Sequence, residues 1–252
     1  IDIAVPSPSH DSREAEKCSS LLLTEIMSNS EDTIVAYRNN RRWIQTFEPV
    51  KPDENEQLDS LLKEKGVYLI TGGLGGIGLV AADYLAGSAG AKLILTGRAE
   101  FPGRDDWENW LNAHDKQDPI SRKIWKLQEI EQKGGEVMVC SVDIADVERM
   151  KETLGRAEER FGQLNGVIHA AGILGRKSNL CAVEEMSEIE AEEQFRPKVY
   201  GLLALAEVLK DKKIDFCLLT SSISSVLGGL GYAAYSAANI FMDAFVKEYN
   251  RK

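Results

Sequence analysis

The apolar run Val67-Tyr68-Leu69-Ile70, followed at once by Thr71-Gly72-Gly73-Leu74-Gly75-Gly76-Ile77-Gly78 and a helix-forming stretch, leaves this chain few folds to choose from. A continuous β-rich run without polar alternation suits a strand covered on both faces. Glycines directly after it permit a tight turn and a close approach of backbone to ligand. The first N–H groups of the following helix lack partners and favour an anion such as a pyrophosphate. A strand before and a helix after the glycines separate a dinucleotide site from a ligand-free glycine loop. Thr71, Gly73, Leu74, Gly75, Gly76, Ile77 and Gly78 are therefore the expected cofactor turn.

Similar runs recur downstream at 92–97, 136–142, 165–172 and 215–222, separated by stretches of helical spacing such as Ile124, Leu127, Ile130 and Leu202, Leu205, Leu209. Alternating strands and helices predict an α/β doubly wound parallel sheet of Rossmann type. Residues 99–118 break the pattern with a Pro-Gly turn and two tryptophans, and read as an insertion with one short helix, which Trp107 and Trp110 pin to the body. Residues 1–57 precede the cofactor turn. They hold a helix-like run (SLLLTEIM), a strand, a turn at Asn39-Asn40 and a second strand, then a polar linker at 49–57. They are expected to form a partial N-terminal subdomain, with 58–252 as the nucleotide-binding subdomain.

Net charge of −10 argues against non-specific binding to nucleic acid or anionic membranes. No apolar segment reaches the roughly 18 residues that span a bilayer, and no secretory signal opens the chain. Cys18, Cys140, Cys181 and Cys217 are dispersed, without metal-site or disulfide spacing, which suits a reducing cytoplasm. Cys140 and Cys217 lie in apolar runs and read as structural, small hydrophobes.

Arg98 ends the second strand where an NAD-selective protein places an acidic residue for the ribose hydroxyls, so a 2′-phosphate and NADPH are favoured; Glu100 lies close by. Asp143, at the end of the third strand, is placed to contact the adenine edge, to cap the next helix, or both.

The fifth strand ends in Thr220-Ser221-Ser222, and Tyr235-Ser236-Ala237-Ala238-Asn239 follows. Tyr235 and Asn239, four apart, share a helical face. Reducing a carbonyl requires a hydride donor at carbon and a proton donor where charge develops on oxygen. Phenols ionise near pH ~10 and so carry a proton at neutral pH, and a nearby ammonium stabilises the phenolate left behind. Glycine turn, HAAG after the fourth strand, serine after the fifth and then Tyr-x-x-x-Asn is an order that resembles the short-chain dehydrogenase/reductase superfamily. With Asn239 in place of its usual lysine and Lys198 in FRPKVYG, residues 66–252 are similar to the ketoreductase domain of modular polyketide synthases. Residues 32–49 resemble the end of the structural subdomain that precedes the reductase half in that family.

The resemblance implies Tyr235 as acid and Lys198 as its electrostatic partner. Ser222, thirteen residues before Tyr235, is implied as second hydrogen-bond donor, and Asn239 as the group orienting the lysine or a water. It also implies Ile144, Ala170, Ala171 and Gly172 along the cofactor, with His169 as strand-end packing. The implied reaction is NADPH-dependent reduction of a β-ketoacyl thioester on the phosphopantetheine of an acyl-carrier protein, beside other polyketide synthase domains of the same chain. A scaffold domain that binds cofactor weakly and a free-standing reductase are the alternatives. Ser221, Ser224, Ser225 and Tyr232 are the rival side chains; Ser236, four residues after Tyr232, is too short for asparagine's part. Arg176 and Lys177 are candidate docking residues for an acidic carrier. The Leu-Asp-Asp marker of one product stereochemistry falls at Leu174-Gly175-Arg176 and the tryptophan of the other at Leu227, so neither marker is present. Relatives continue past the catalytic helix into a further strand and a lid, and the chain is expected to be a fragment at both ends.

Overall fold

A computed structural model describes residues 2–3, 12–32, 34–39, 41–50, 61–173 and 182–251. Most of the linker, Asn40, Leu174-Gly175-Arg176, Lys177 and Cys181 lie outside the described residues. Contacts divide the chain into two units, Ile1–Gln57 and Leu58–Lys252.

In the first unit, strand β1 (Asp2–Ile3) lies parallel to β2 (Val35–Arg38), which pairs antiparallel with β3 (Arg41–Ile44). Asn39 adopts φ of 50° in the connection between β2 and β3. Helix α1 (Ser12–Ile26) is tied to this sheet through Glu25, which accepts from Arg42 at 2.8 Å and from the Tyr37 hydroxyl at 2.6 Å. These hydrogen bonds hold the Glu25 carboxyl down to about 2.

The second unit is built on five parallel strands: β4 (Val67–Thr71), β5 (Lys92–Gly97), β6 (Glu136–Ser141), β7 (Leu164–His169) and β8 (Phe216–Leu219). Their order across the sheet is β6-β5-β4-β7-β8. Side chains alternate between two core layers. Val67, Leu69, Ile94 and Val167 pack with α5 (Val147–Phe161) and α7 (Gly201–Leu209), whereas Tyr68, Ile70, Leu93 and Leu95 pack with α2 (Gly76–Ala89) and α4 (Pro119–Gln132). Strand order reverses between β4 and β7, which puts the crevice of a doubly wound sheet at their carboxyl ends, where Thr71 pairs with His169.

The insertion carries a 3₁₀ turn (Arg104–Asp106) and α3 (Trp107–Ala113). Trp107 is buried in the core layer with Tyr68 and Leu95, and Trp110 packs against that layer, so both tryptophans hold the insertion against the body, while their N–H groups bond within it to the Pro102 carbonyl at 3.0 Å and to Asp118 at 3.2 Å. Two features depart from the sequence reading. The last two strands end sooner than their apolar runs, because 170–172 and 220–222 turn away to form loops. Cys217 is exposed: β8 stands at the sheet edge, where Cys217 and its neighbour Leu218, on opposite faces of the strand, are both exposed, unlike buried Cys140.

Candidate active site

The glycine turn is held by its own close packing. Gly72 has φ of +66°, and a Cβ there would lie 2.7 Å from the Ala170 carbonyl. A Cβ on Gly78 would meet the Gly72 carbonyl at 2.4 Å, so only glycine lets α2 start this close to β4. No side chain caps α2, whose first N–H groups remain free to meet an anion. Beneath the turn, the Thr71 hydroxyl and His169 Nδ1 share a 2.7 Å hydrogen bond. Burial, reinforced by the charge of Lys198, pushes the His169 imidazole down to about 4, so it stays neutral at pH 7.

A cleft of about 440 Å³ opens above the turn. Its lining brings together Leu74, Gly75, Gly76, Ile77 and Gly78 of the turn, Ala170, Ala171 and Gly172, Arg98 with Glu100, and Lys198 with Tyr235. Thr71 and Gly73 lie beneath, Gly73 backed by Leu95. Phe101, Ile120 and Lys123 also line the cleft, and the sequence reading missed them. Lys123 sits three residues before Lys126 on a helix that reads from sequence as amphipathic cover, and only a basic residue on its cleft-facing side hints at more.

Asp143 and Ile144 are not in the cleft wall. Asp143 accepts from Arg196 Nε at 2.8 Å and from the Ala145 N–H at 2.9 Å. Burial resists its ionisation, but these hydrogen bonds outweigh it and hold the carboxyl below its usual range. The cap of α5 is Asp146, accepting from the Arg149 N–H, so the capping role suggested for Asp143 belongs three residues later, where the helix begins. Ile144 is buried in the core.

Lys198 lies in a π-helical turn, Arg196–Tyr200, between α6 (Glu188–Phe195) and α7, rather than in a plain helix. Pro197 has no N–H to offer the preceding turn and its ring crowds the carbonyl four residues back, which favours the wider register. The lysine is 4% exposed. Its Nζ donates to the Thr220 carbonyl at 3.0 Å and stands 5.8 Å from the centre of the Tyr235 ring. Burial pushes the ammonium down to about 8, with Asp243 pulling the other way, so it keeps its charge at neutral pH.

Tyr235 and Asn239 lie on α9 (Ala233–Tyr249). Asn239 is fully buried; its Nδ2 donates to the Tyr235 carbonyl at 2.8 Å, while its Oδ1 has no protein partner. No hydrogen bond joins it to Lys198 among those described. Ser222 Oγ accepts from the Ser224 N–H at 3.2 Å, which leaves its own proton free to donate; Thr220 and Ser221 form the cleft wall at this point. Tyr232 is exposed, its ring 5.8 Å from that of Tyr235, and it does not line the cleft. Leu227 is exposed at the end of α8 (Ser224–Leu227).

A glycine turn at the switch point of a parallel sheet, facing a phenol and a buried ammonium across one cleft, defines an oxidoreductase of the short-chain dehydrogenase/reductase type. Residues 66–252 match the KR domain family, and the chain belongs to it: it is a ketoreductase domain of the polyketide synthase kind. It is 34% identical over 242 residues to polyketide synthase PksL of Bacillus subtilis (strain 168), covering 94% of this chain and 5% of that protein. It is 32% identical over 192 residues to 6-methylsalicylic acid synthase of Aspergillus terreus, covering 76% of this chain and 10% of that protein. A ketoreductase domain from the bacillaene assembly line matches with a TM-score of 0.76 and 30% identity, covering 99% of this chain and 52% of that one. The chain thus spans a small fraction of these synthases and about half of that solved domain. No described helix is long and apolar enough to cross a membrane.

Proposed function

We propose that this chain reduces a β-ketoacyl thioester, borne on the phosphopantetheine of an acyl-carrier protein, to the β-hydroxyacyl thioester at the expense of NADPH, as one domain of a polyketide synthase. The observation that carries the reading is Tyr235 and Lys198 facing the glycine turn across a single cleft. The residues present suit a dinucleotide: an uncapped helix N-terminus, a turn whose glycines a Cβ would fill, and cationic Arg98 and Lys123 in the lining, beside a single Glu100, for a 2′-phosphate. When bound, the nicotinamide supplies hydride to the β-carbon.

Tyr235 donates its hydroxyl proton to the carbonyl oxygen as that oxygen gains charge, and Ser222 contributes a second hydrogen bond. Lys198 holds positive charge beside the resulting phenolate. Asn239 braces the first turn of α9 through the Tyr235 carbonyl, and its buried Oδ1 is available to accept from a water or from the lysine. The first unit acts as the end of a structural subdomain.

In an intact synthase module, Tyr235→Phe is expected to lower kcat by about 10²–10⁴ while NADPH binding persists, and Tyr232→Phe to do far less. Arg98→Ala is expected to remove most of the preference for NADPH over NADH, a charge-assisted contact being worth roughly 1.5–3 kcal/mol. Unchanged turnover in Tyr235→Phe, or equal affinity for both cofactors before mutation, refutes the respective claim.

A further inference from the structure

Asp143 and Ile144 begin the loop after β6, which receives the adenine end of the cofactor in the reading above. The same two residues grip the segment that carries Lys198. Arg196 Nε donates to Asp143 Oδ2 at 2.8 Å, and Arg196 is the first residue of the π turn, whose closing hydrogen bond runs from the Gly201 N–H to the Arg196 carbonyl. At the other end of the turn, Gly201 lies so close to Ile144 that a Cβ would fall 2.6 Å from its Cγ2. The turn is thus fastened at both ends to consecutive residues of one loop, with Lys198 between the two fastenings. It needs such support, because Pro197 contributes no N–H and a single π turn has little hydrogen bonding of its own.

We propose that the Arg196–Asp143 ion pair is a positioning device: it holds the π turn so that Lys198 stands beside Tyr235, and it links the adenine-receiving loop to the proton-donating end of the site. This rests on the functional reading for the roles of Lys198 and Tyr235. The pair is partly solvated, with the Arg196 side chain 52% and the Asp143 side chain 21% exposed, so its effect is sought in geometry rather than in overall stability.

Arg196→Gln, Asp143→Asn, the double variant and Arg196→Lys provide the test, with NADPH and a small β-ketoacyl thioester as substrates. Each of the first two is expected to lower kcat by about tenfold, as displacement of a reacting group by a fraction of an ångström does. The double variant should be no worse than the poorer single one, and Arg196→Lys should regain most of the loss. In Arg196→Gln, which leaves Asp143 in place, the NADPH dissociation constant, read by nicotinamide fluorescence, should move less than about threefold. Unchanged kcat with weakened NADPH binding makes the pair a plain cofactor contact and overturns the proposal, as do additive losses. Amide exchange over 196–200 in the cofactor-free proteins decides independently of turnover: equal acceleration in Arg196→Gln, Asp143→Asn and the double variant supports the device, and unchanged exchange overturns it. A wild-type protein that binds NADPH yet reduces no β-ketoacyl thioester refutes the functional reading, and the exchange measurement then still decides the role of the pair.

Discussion

Burying the Lys198 ammonium works against the folded state. Burial lowers it to about 8 from 10.5, so the folded chain holds this proton less tightly than the unfolded one. Below pH 8 the difference opposes folding by about 3 kcal/mol, and the penalty fades as pH rises from 8 to 10.5. Lys198→Met is accordingly expected to raise the melting temperature by a few degrees at pH 7, with the gain shrinking by pH 10, and to slow reduction by roughly 10²-fold. Scanning calorimetry at the two pH values and steady-state rates check both. In the unmutated protein, kcat should fall above about pH 8 as the ammonium loses its charge. The groups facing it tune that limb: Asp243 favours the charged form, Tyr235 supplies the phenol, and His169 stays neutral there. A profile flat to pH 10 contradicts the role given to Lys198.

Between β4 and α2, tolerance to substitution should change sharply over two residues. Gly78→Ala sets a methyl against the Gly72 carbonyl and the Gly73 Cα at 2.4 and 2.7 Å, so either the turn or the helix must shift. A loss of more than about 2 kcal/mol of stability together with NADPH binding is expected. A Cβ on Gly76 meets nothing within 4 Å, so Gly76→Ala should leave the fold intact or gain about 0.5–1 kcal/mol, with denaturant unfolding separating the two. This turn was legible in the sequence because its constraints are local: a strand, glycines and a helix in immediate succession. The register of the Lys198 segment was not taken from the sequence, although Pro197 carries the signal. A proline just before the lysine disrupts an α-helical ladder, and the π turn absorbs it. The partnership of Arg196 with Asp143, 53 residues apart in the chain, leaves no local trace. Lys123 and Phe101 likewise reach the cleft only through the way the insertion and α4 fold back over β5.

Across the whole sheet, uninterrupted apolar runs correctly marked five parallel strands, and read as strands covered on both faces they hold for β4 and β5. The rule fails at β8, where such a run stands at the sheet edge with Leu218 51% exposed, since hydrophobicity alone does not say where in the order a strand will lie. Among the described residues that edge is unpaired on one side, and it is expected to affect how these molecules meet in concentrated solution. Beyond its pairing with β7, β8 presents backbone N–H and C=O groups that any extended peptide can match, next to apolar side chains that reward the match by leaving water. Leu218→Lys puts a charge on that rim through a side chain that does not itself line the cleft, and light scattering at rising concentration should show weaker self-association. The same strand serves both ends of its length: Thr220 and Ser221, which follow it directly, line the cleft.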